Sequence, residues 1–273
     1  NAYQKIGNLP NAAEAYSHAA MLRPDSVQVH LDLGVVHQKM GNLAAARAAY
    51  EHAMDIDSRY PGVLWNLALV LEQQGEKDAA ERLYAMLPEN DPESEEASFR
   101  LGYLRLLRED YAGSAEAFEA CLRRRADWLE AQLNAGIAYW KSGNGVAARK
   151  AFEKVLAANS RSLDAMRGLA ALALEQENYQ EALDLHRKLM DFGERTPELF
   201  YNAGLICQRR GQARDAILYY REALKERPDF AEALLNLGHV LRSLGQETEA
   251  RACWRKAVEA RPELALKYFD PED

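Results

Sequence analysis

Residues 231–264 read AEALLNLGHVLRSLGQETEARACWRKAVEARPEL, and this 34-residue stretch decides the fold. The same pattern of small, apolar and aromatic residues returns every 34 residues back to Val27, without an insertion or deletion. A fixed period of this length is typical of a protein built from stacked, similar units. Residues 1–26 continue the register as a partial repeat, and the seven full repeats are 27–60, 61–94, 95–128, 129–162, 163–196, 197–230 and 231–264.

Each repeat carries the same kinds of side chain at the same positions, numbered 1 to 34. Position 8 is Gly or Ala, position 20 is Ala or Ser, and position 24 is large and mostly aromatic. Apolar residues at positions 4, 7, 8 and 11, and again at 20, 24 and 27, have helical spacing, so each repeat is predicted to be two amphipathic helices. Gly at position 15 suits the left-handed residue that ends the first helix, and Pro at position 32 stops the second.

Small residues at positions 8 and 20 allow the two helices to approach closely, and the ring at position 24 fills the space beside them. One such hairpin cannot bury both of its faces, so it must stack on its neighbours. The predicted fold class is therefore an all-α solenoid of 34-residue helix-turn-helix repeats, with seven full repeats and a partial N-terminal one.

The pattern resembles the tetratricopeptide repeat (TPR) family over residues 1–264: a small residue at position 8, Tyr3 and Tyr139 at position 11, Gly at 15, Ala at 20, Tyr or Phe at 24, Ala at 27 and Pro at 32. This resemblance implies a right-handed superhelix whose first helices line a concave groove that receives a peptide or a partner helix. It implies no shared catalytic chemistry. Repeats 6 and 7 are also similar to the TPR superhelix of O-linked N-acetylglucosamine transferases.

We expect one solenoid over residues 1–273, because the register is unbroken. Residues 265–273 are predicted to form a C-terminal cap that lays Tyr268 and Phe269 on repeat 7. Residues 1–7 supply only the tail of a first helix, so further repeats or a cap are expected upstream.

Composition and motifs exclude several classes of function. The net charge is −8, which disfavours nucleic acid and anionic membranes, and no apolar run reaches the roughly 18–20 residues of a membrane span. The sequence contains no phosphate-binding loop, dinucleotide glycine motif, HExxH or GxSxG. Cys121, Cys207 and Cys253 form no CxxC pair, so they are predicted to be small packing residues. We therefore predict no enzyme activity, metal or cofactor.

The six histidines are scattered along the chain. His30 and His37 are predicted to pack in the core, while His18 and His52 are predicted to lie on the outer side of second helices. His30 and His37 are seven residues apart, which is too far to share a metal on one helix.

Three repeats depart from the pattern. In repeat 2, Pro88 should end the second helix about a turn early, and Ser94 is predicted as the N-cap of the next helix after a solvated acidic loop, with a recognition loop as the alternative. In repeat 3, Arg105 occupies apolar position 11, so either its stem packs while its head reaches water or it pairs with an acid.

Repeat 5 has Glu177 at position 15, where most repeats have Gly. Its end reads as a C′ residue, Gly193, followed by Thr196 as N-cap and Pro197 as the first helical residue of the next repeat. Because the register continues, a domain boundary is not expected at this point.

The resemblance assigns the concave groove to positions 2, 5, 6, 9, 12 and 13 of each first helix. Position 6 is Asn in four repeats, as Asn66, Asn134, Asn202 and Asn236. An Asn amide both donates and accepts, so a ladder of them can hold the backbone of an extended peptide. Ligand contact and inherited family consensus are both open explanations.

The groove lining is apolar in its middle, with Trp65 and Phe99 at position 5, Tyr103 at 9, Trp140 at 12 and Leu107 at 13. An apolar stripe facing water is predicted to anchor a partner; the alternative is that Trp65 and Phe99 pack between adjacent first helices. The full set of candidate binding residues is Trp65, Asn66, Phe99, Arg100, Tyr103, Leu107, Asn134, Trp140, Tyr201, Asn202 and Asn236.

Position 2 is acidic in five repeats, as Glu96, Glu130, Asp164, Glu198 and Glu232, so one groove edge should be negative and favour a ligand with Lys or Arg. The residues with which co-chaperone TPRs grip a C-terminal carboxylate are absent.

The leading prediction is a non-enzymatic scaffold that binds a peptide or partner helix. The alternatives are a self-assembling structural protein and a targeting module of a larger enzyme such as a glycosyltransferase. The sequence does not specify the compartment.

Overall fold

The computed structural model describes residues 8–89 and 91–263, and these residues form fifteen α-helices and no strand. The chain is an all-α helical-repeat solenoid, as predicted. Even-numbered helices are first helices of a repeat and odd-numbered helices are second helices. In chain order they are α1 (Leu9–Leu22), α2 (Val27–Lys39), α3 (Leu43–Ile56), α4 (Val63–Gln73), α5 (Lys77–Met86), α6 (Ser94–Leu107), α7 (Tyr111–Arg124), α8 (Leu129–Lys141), α9 (Gly145–Ala158), α10 (Leu163–Glu175), α11 (Tyr179–Asp191), α12 (Pro197–Arg209), α13 (Ala213–Glu226), α14 (Ala231–Ser243) and α15 (Glu247–Ala260).

The helices form two compact units, the first ending at Ala151 and the second beginning at Phe152. In each unit, consecutive helices pack as antiparallel neighbours, and every hairpin packs on the next one along the chain. The predicted C-terminal cap, residues 265–273, lies outside the described residues, as do Tyr3 and the first seven residues. None of the helices in residues 8–89 and 91–263 combines the length and apolar composition needed to cross a bilayer.

The closest packing within a hairpin joins positions 8 and 24. A Cβ built on Gly204 would lie 2.6 Å from Cε1 of Tyr220, and one on Gly34 would lie 2.3 Å from Cε1 of Tyr50. The rings therefore occupy the space that a side chain at position 8 would need in these repeats. This confirms the predicted close approach of the two helices.

Position 20 is the second point of close contact. All eight residues at this position are at most 2% exposed: Ala12, Ala46, Ala80, Ser114, Ala148, Ala182, Ala216 and Ala250. Where Ser114 replaces Ala, its hydroxyl donates a 2.7 Å hydrogen bond to the carbonyl oxygen of Gly102 on the partner helix. The backbones of the two helices are thus close enough for a short side chain to join them.

Tyrosines at position 24 also reach across the hairpin to the first helix. The hydroxyl of Tyr50 donates to Gln38 (2.9 Å), that of Tyr84 to Glu72 (2.8 Å) and that of Tyr220 to Gln208 (2.6 Å). Each acceptor is the position 12 residue of the same repeat. These buried rings therefore hold in place a side chain at a position where the groove lining is predicted.

Repeat 5 has His186 at position 24, where the other repeats have Tyr, Phe or Trp. The imidazole is 5% exposed, and its Nδ1 donates a 2.7 Å hydrogen bond to the carbonyl oxygen of Ala182. This bond places the proton on Nδ1 and leaves Nε2 as an acceptor. Burial lowers the pKa of His186 below its ordinary value, because the charged form loses its hydration.

The left-handed residue after the first helix is present in all seven full repeats. Five of these residues are glycines, and the other two are Glu109, with φ 63°, and Glu177, with φ 56°. A side chain in this conformation is strained by its contact with the following carbonyl oxygen. The register of the hairpin turn is therefore kept in repeats 3 and 5 at an energetic cost.

The irregular segments mostly follow the sequence predictions. Helix α5 ends at Met86, two residues before Pro88, as predicted. The Arg105 side chain pairs with an acid, with its Nε 3.3 Å from Oε1 of Glu81, and its Nη1 donates to the carbonyl oxygen of Gly113 at 3.1 Å. The predicted cap of α12 is also confirmed, because Thr196 Oγ1 accepts from the Leu199 N–H at 3.2 Å.

The prediction of Ser94 as an N-cap is wrong. Ser94 is the first residue of α6, and Glu93 precedes it as the cap. The Ser94 hydroxyl instead donates to the carbonyl oxygen of Glu89 at 3.1 Å, and Arg124 of the next helix donates to both of these oxygens. The hydroxyl therefore ties the preceding loop to α7.

Histidines and cysteines outside position 24 pack without forming a metal site. His30 Nε2 lies 2.8 Å from the carbonyl oxygen of Pro24. The exposed His52 ring meets the His30 ring edge-on, with the two ring centroids 4.3 Å apart. Cys121 and Cys207 are buried, and burial raises the pKa of the Cys121 thiol to about 12. Within residues 8–89 and 91–263, no three His, Cys, Asp or Glu side chains are arranged to hold a metal ion.

Replacing Glu109 or Glu177 by glycine should stabilise the protein. Glycine adopts positive φ without the steric cost, and each change should raise the free energy of unfolding by about 1 kcal/mol. Urea denaturation measures this. Glu259→Gly, an exposed change inside α15, is the control and should lower stability. Equal destabilisation by all three changes would contradict the proposed strain.

Ala216→Leu should destabilise the second unit by about 1–3 kcal/mol, because the added carbons overpack a fully buried helix contact. Repeat proteins couple mainly between neighbours, so faster hydrogen exchange should be confined to repeats 5 to 7. The exposed Ala252→Leu is the matched control. Uniformly faster exchange from repeat 1 to repeat 7 would argue against nearest-neighbour coupling.

Protonation of buried histidine should weaken the fold in mild acid. His186 and the half-buried His239 both have pKa values lowered mainly by burial. The unfolded chain therefore binds more protons than the folded one as the pH falls below about 6.5, so stability is full above that pH and decreases below it. His186→Phe should lose less stability than the wild type between pH 8 and 5.5 by urea titration. An identical pH dependence in both proteins would disprove this assignment.

Candidate functional site

The predicted groove positions of each first helix are positions 2, 5, 6, 9, 12 and 13. In the first unit they lie on α2, α4, α6 and α8, and in the second unit on α10, α12 and α14.

Two of the predicted anchors in the first unit are packing residues. Phe99 stacks on Trp128 with ring centroids 4.4 Å apart and meets Phe118 edge-on at 5.6 Å. Trp65 is half-buried, 5.7 Å from the Tyr84 ring. Both side chains are therefore used between helices, which agrees with the alternative explanation for them.

Arg100 covers the Trp65 ring, with its guanidinium carbon 5.7 Å from the ring centroid. Its Nη1 lies 3.1 Å from Oε2 of Glu72, the carboxylate that also accepts from Tyr84. Arg100 and Trp65 thus belong to one fixed cluster on α4, α5 and α6.

The exposed apolar surface of the first unit lies farther along α6. Tyr103 is 45% exposed and Leu107 is 51% exposed. Trp140 on α8 is half-buried, and the Lys141 ammonium lies 4.8 Å from its ring centroid. Of the predicted apolar stripe, Tyr103 and Leu107 are thus the residues that offer contact area to a partner.

The four asparagines at position 6 differ in their partners. Asn66 Nδ2 donates to the carbonyl oxygen of Gly62 at 2.7 Å, and Asn236 Nδ2 donates to the hydroxyl of Tyr201 at 3.0 Å. Asn134 and Asn202 make no side-chain hydrogen bond within the described part of the chain. The side-chain amides of Asn134 and Asn202 therefore have donors and acceptors available to a ligand.

The acidic edge is less negative than its carboxylates suggest. Four of the five are paired with arginine: Glu96 with Arg125 (3.4 Å), Asp164 with Arg167 (2.6 Å), Glu198 with Arg227 (2.5 Å) and Glu232 with Arg261. Glu130 has no ion pair among residues 8–89 and 91–263. The predicted selection for a basic ligand is correspondingly weaker.

Sequence reasoning missed the arginines at position 31. Arg125, Arg227 and Arg261 share this position, and each reaches the position 2 carboxylate of its own repeat. Arg125 also lies 4.5 Å from the Trp128 ring centroid, and Arg227 lies 4.9 Å from that of Phe230. The backbone N–H at the start of α12 and the Arg227 guanidinium both lower the pKa of Glu198. The recurrence of Arg at position 31 was the signal in the sequence from which these ion pairs could have been predicted.

Two cavities lie in the second unit, between α10, α11 and α12. One cavity of about 300 Å³ is bounded by the end of α10, Tyr179, Leu205 and Arg209. A second, of about 260 Å³, is bounded by Ala171 of α10, His186 of α11 and Leu199 of α12. Asn202 and Leu174 line both cavities. The free Asn202 amide is therefore flanked by two recesses.

Two small side chains of α10, Ala170 and Ala171, line the smaller recess. Repeat 5 has Gly168 at position 6, where four other repeats have Asn, and Ala171 at position 9. A Cβ on Gly168 would lie 2.6 Å from Phe152, so a larger residue does not fit there. This run of small residues in a first helix was visible in the sequence, but it was not recognised as a site.

An ion pair closes one side of the smaller cavity. Arg167 grips Glu194 with two hydrogen bonds, from Nε at 3.2 Å and from Nη2 at 3.0 Å. The Glu194 side chain is only 12% exposed, and Arg167 also binds Asp164. Two-point pairing fixes the orientation of the guanidinium and of this wall.

Family models agree with the repeat register. Models described as Tetratricopeptide repeat match residues 39–99, 133–191 and 201–265, and one described as TPR repeat matches residues 1–41. Together they cover most of the chain. The formate-dependent nitrite reductase complex subunit NrfG of Escherichia coli O157:H7 is 32% identical over 106 residues, which are 37% of this chain and 52% of NrfG. The match thus spans about half of that relative.

Solved structures show the same fold. A crystal structure of MamA protein has a TM-score of 0.58 and 22% identity, covering 65% of this chain and 97% of that one. A tetratricopeptide repeat protein from Parabacteroides merdae ATCC 43184 has a TM-score of 0.51 and 21% identity, covering 88% of this chain and 94% of that one. With its helix pairs and the matched family models, this chain belongs to the tetratricopeptide repeat family, whose repeats serve as protein-interaction scaffolds.

Proposed function

We propose that the chain is a non-enzymatic scaffold that binds an extended segment of a partner protein along α10 and α12. The observation that carries this proposal is the free Asn202 amide between two cavities. One Asn side chain can donate to a peptide carbonyl and accept from a peptide N–H. It can therefore hold a peptide group without reading its side chain.

The two recesses suit the side chains of an extended peptide. Alternate side chains of an extended strand point to the same side and are about 6.6–6.8 Å apart. The cavity walls combine apolar residues, such as Leu174, Leu199 and Leu205, with a few polar groups, which is the usual composition of a binding site. Backbone capture by Asn202 thus supplies affinity, and the recesses supply selectivity.

Two further points support a scaffold. Tetratricopeptide repeats are typically non-catalytic. The relative NrfG is named as a subunit of a reductase complex, which supports a place for this chain in an assembly with other proteins. A targeting module within a larger enzyme would use the same surface.

Self-association is the competing function. It is favoured by exposed apolar side chains that line neither cavity. Examples are Leu218 on α13, which is 61% exposed, and Val146 on α9, which is 69% exposed. Both residues lie on second helices, whereas the two cavities are lined mainly by the first helices α10 and α12.

Site-specific photo-crosslinking separates the two functions. A benzoylphenylalanine in place of Leu205 reports on the larger cavity, and one in place of Leu218 reports on the outer surface of α13. In extract of the source cells, we expect a partner protein to crosslink at 205 and not at 218. Asn202→Ala should weaken the crosslink at 205 several-fold, since one hydrogen bond is worth about 0.5–1.5 kcal/mol, and Leu218→Ala should leave it unchanged. Crosslinks at 218 alone, or products with the mass of two copies of this chain, would support self-association instead.

A further inference from the structure

The wall of the smaller cavity contains one hydrogen-bond acceptor that the fold does not use. His186 is 5% exposed, and its Nδ1 is bound to the Ala182 carbonyl oxygen at 2.7 Å. The other ring nitrogen, Nε2, carries a lone pair and has no partner within the described residues. Nε2 is not sealed off by the protein, so a ligand in the cavity can donate to it.

The remaining polar side chains of this wall are already bonded. Arg167 and Glu194 pair with each other, Glu198 pairs with Arg227, and Thr196 caps α12. The rest of the wall is Ala or Leu. Nε2 of His186 and the Asn202 amide are therefore the polar groups left for a ligand in this part of the chain.

We propose that this cavity receives a tyrosine side chain of the partner, whose hydroxyl donates to Nε2 of His186. This inference rests on the proposed function, because Asn202 would hold the peptide group next to that tyrosine. A cavity of about 260 Å³ is at the low end for a separate ligand and suits one large side chain. The Ala and Leu wall contacts the ring, and the single neutral acceptor meets the hydroxyl.

Other large side chains fit this wall less well. Phenylalanine would cover Nε2 without donating to it, and sites built to bond a hydroxyl strongly reject the analogue that lacks one. Lysine would lose its hydration against the Ala and Leu wall, and the carboxylates there, Glu194 and Glu198, are already paired with arginine. The expected preference is therefore tyrosine over phenylalanine and lysine.

The test uses a positional-scanning library of decapeptides, with one position fixed in turn as each amino acid and the others degenerate. Binding to the full chain is measured by fluorescence anisotropy. We expect one fixed position at which tyrosine binds about tenfold more tightly than phenylalanine. His186→Phe should reduce that ratio to about one, and the ring should fit, because repeat 2 already packs Tyr84 at position 24 beside an alanine, Ala68, at position 8.

His186→Gln is the matched variant, because a Gln amide oxygen keeps an acceptor at the same depth; it should retain most of the preference. Circular dichroism melting confirms that each variant is folded. Peptide binding without a tyrosine preference, or with one that survives in His186→Phe, overturns this inference and leaves the proposed function standing. Failure of every library member to bind overturns both.

Discussion

The contact between the ring at position 24 and the small residue at position 8 sets the geometry of each repeat. The ring of Tyr220 occupies the space where a Cβ of Gly204 would lie, and its hydroxyl continues to Gln208 on the groove side. This contact fixes the separation of two helices and anchors one side chain of the groove lining. Stacking then repeats the arrangement along each unit, because a single hairpin leaves apolar faces uncovered.

The candidate site arises where repeat 5 departs from this arrangement. His186 replaces the Tyr, Phe or Trp of the other repeats, and Leu174 stands at position 12, where three other repeats hold a side chain that accepts from a tyrosine hydroxyl. The small residues Ala170 and Ala171 of α10 line the smaller recess, and Asn202 lies between the two recesses. The residue at this packing position thus lines the smaller recess and presents an acceptor to it.

Local features of the fold were predictable from the sequence. The helix pairs, the early end of α5 before Pro88 and the Thr196 cap all depend on residues within one or two turns of each other. The outcome at Ser94 was not predictable in this way, because its hydroxyl is engaged by Arg124, thirty residues later in the chain. Distant contacts of this kind leave no periodic trace in a single sequence.

The candidate site was predicted only in part. Asn202 was found from its position, but the sequence directed attention to the apolar stripe of the first unit, where Phe99 stacks on Trp128. Aromatic residues attract notice as anchors, yet in a repeat protein they also fill the junctions between hairpins. The cavities follow from residues that are absent or small, and only the three-dimensional packing shows whether neighbouring side chains fill the space.

A crystal structure of the chain with a library-selected peptide tests the central claim most directly. The account predicts an extended peptide across α10 and α12, with a peptide group bonded to the Asn202 amide and side chains in the two recesses. A peptide bound to the outer faces of α11 and α13, with both recesses empty, would contradict it.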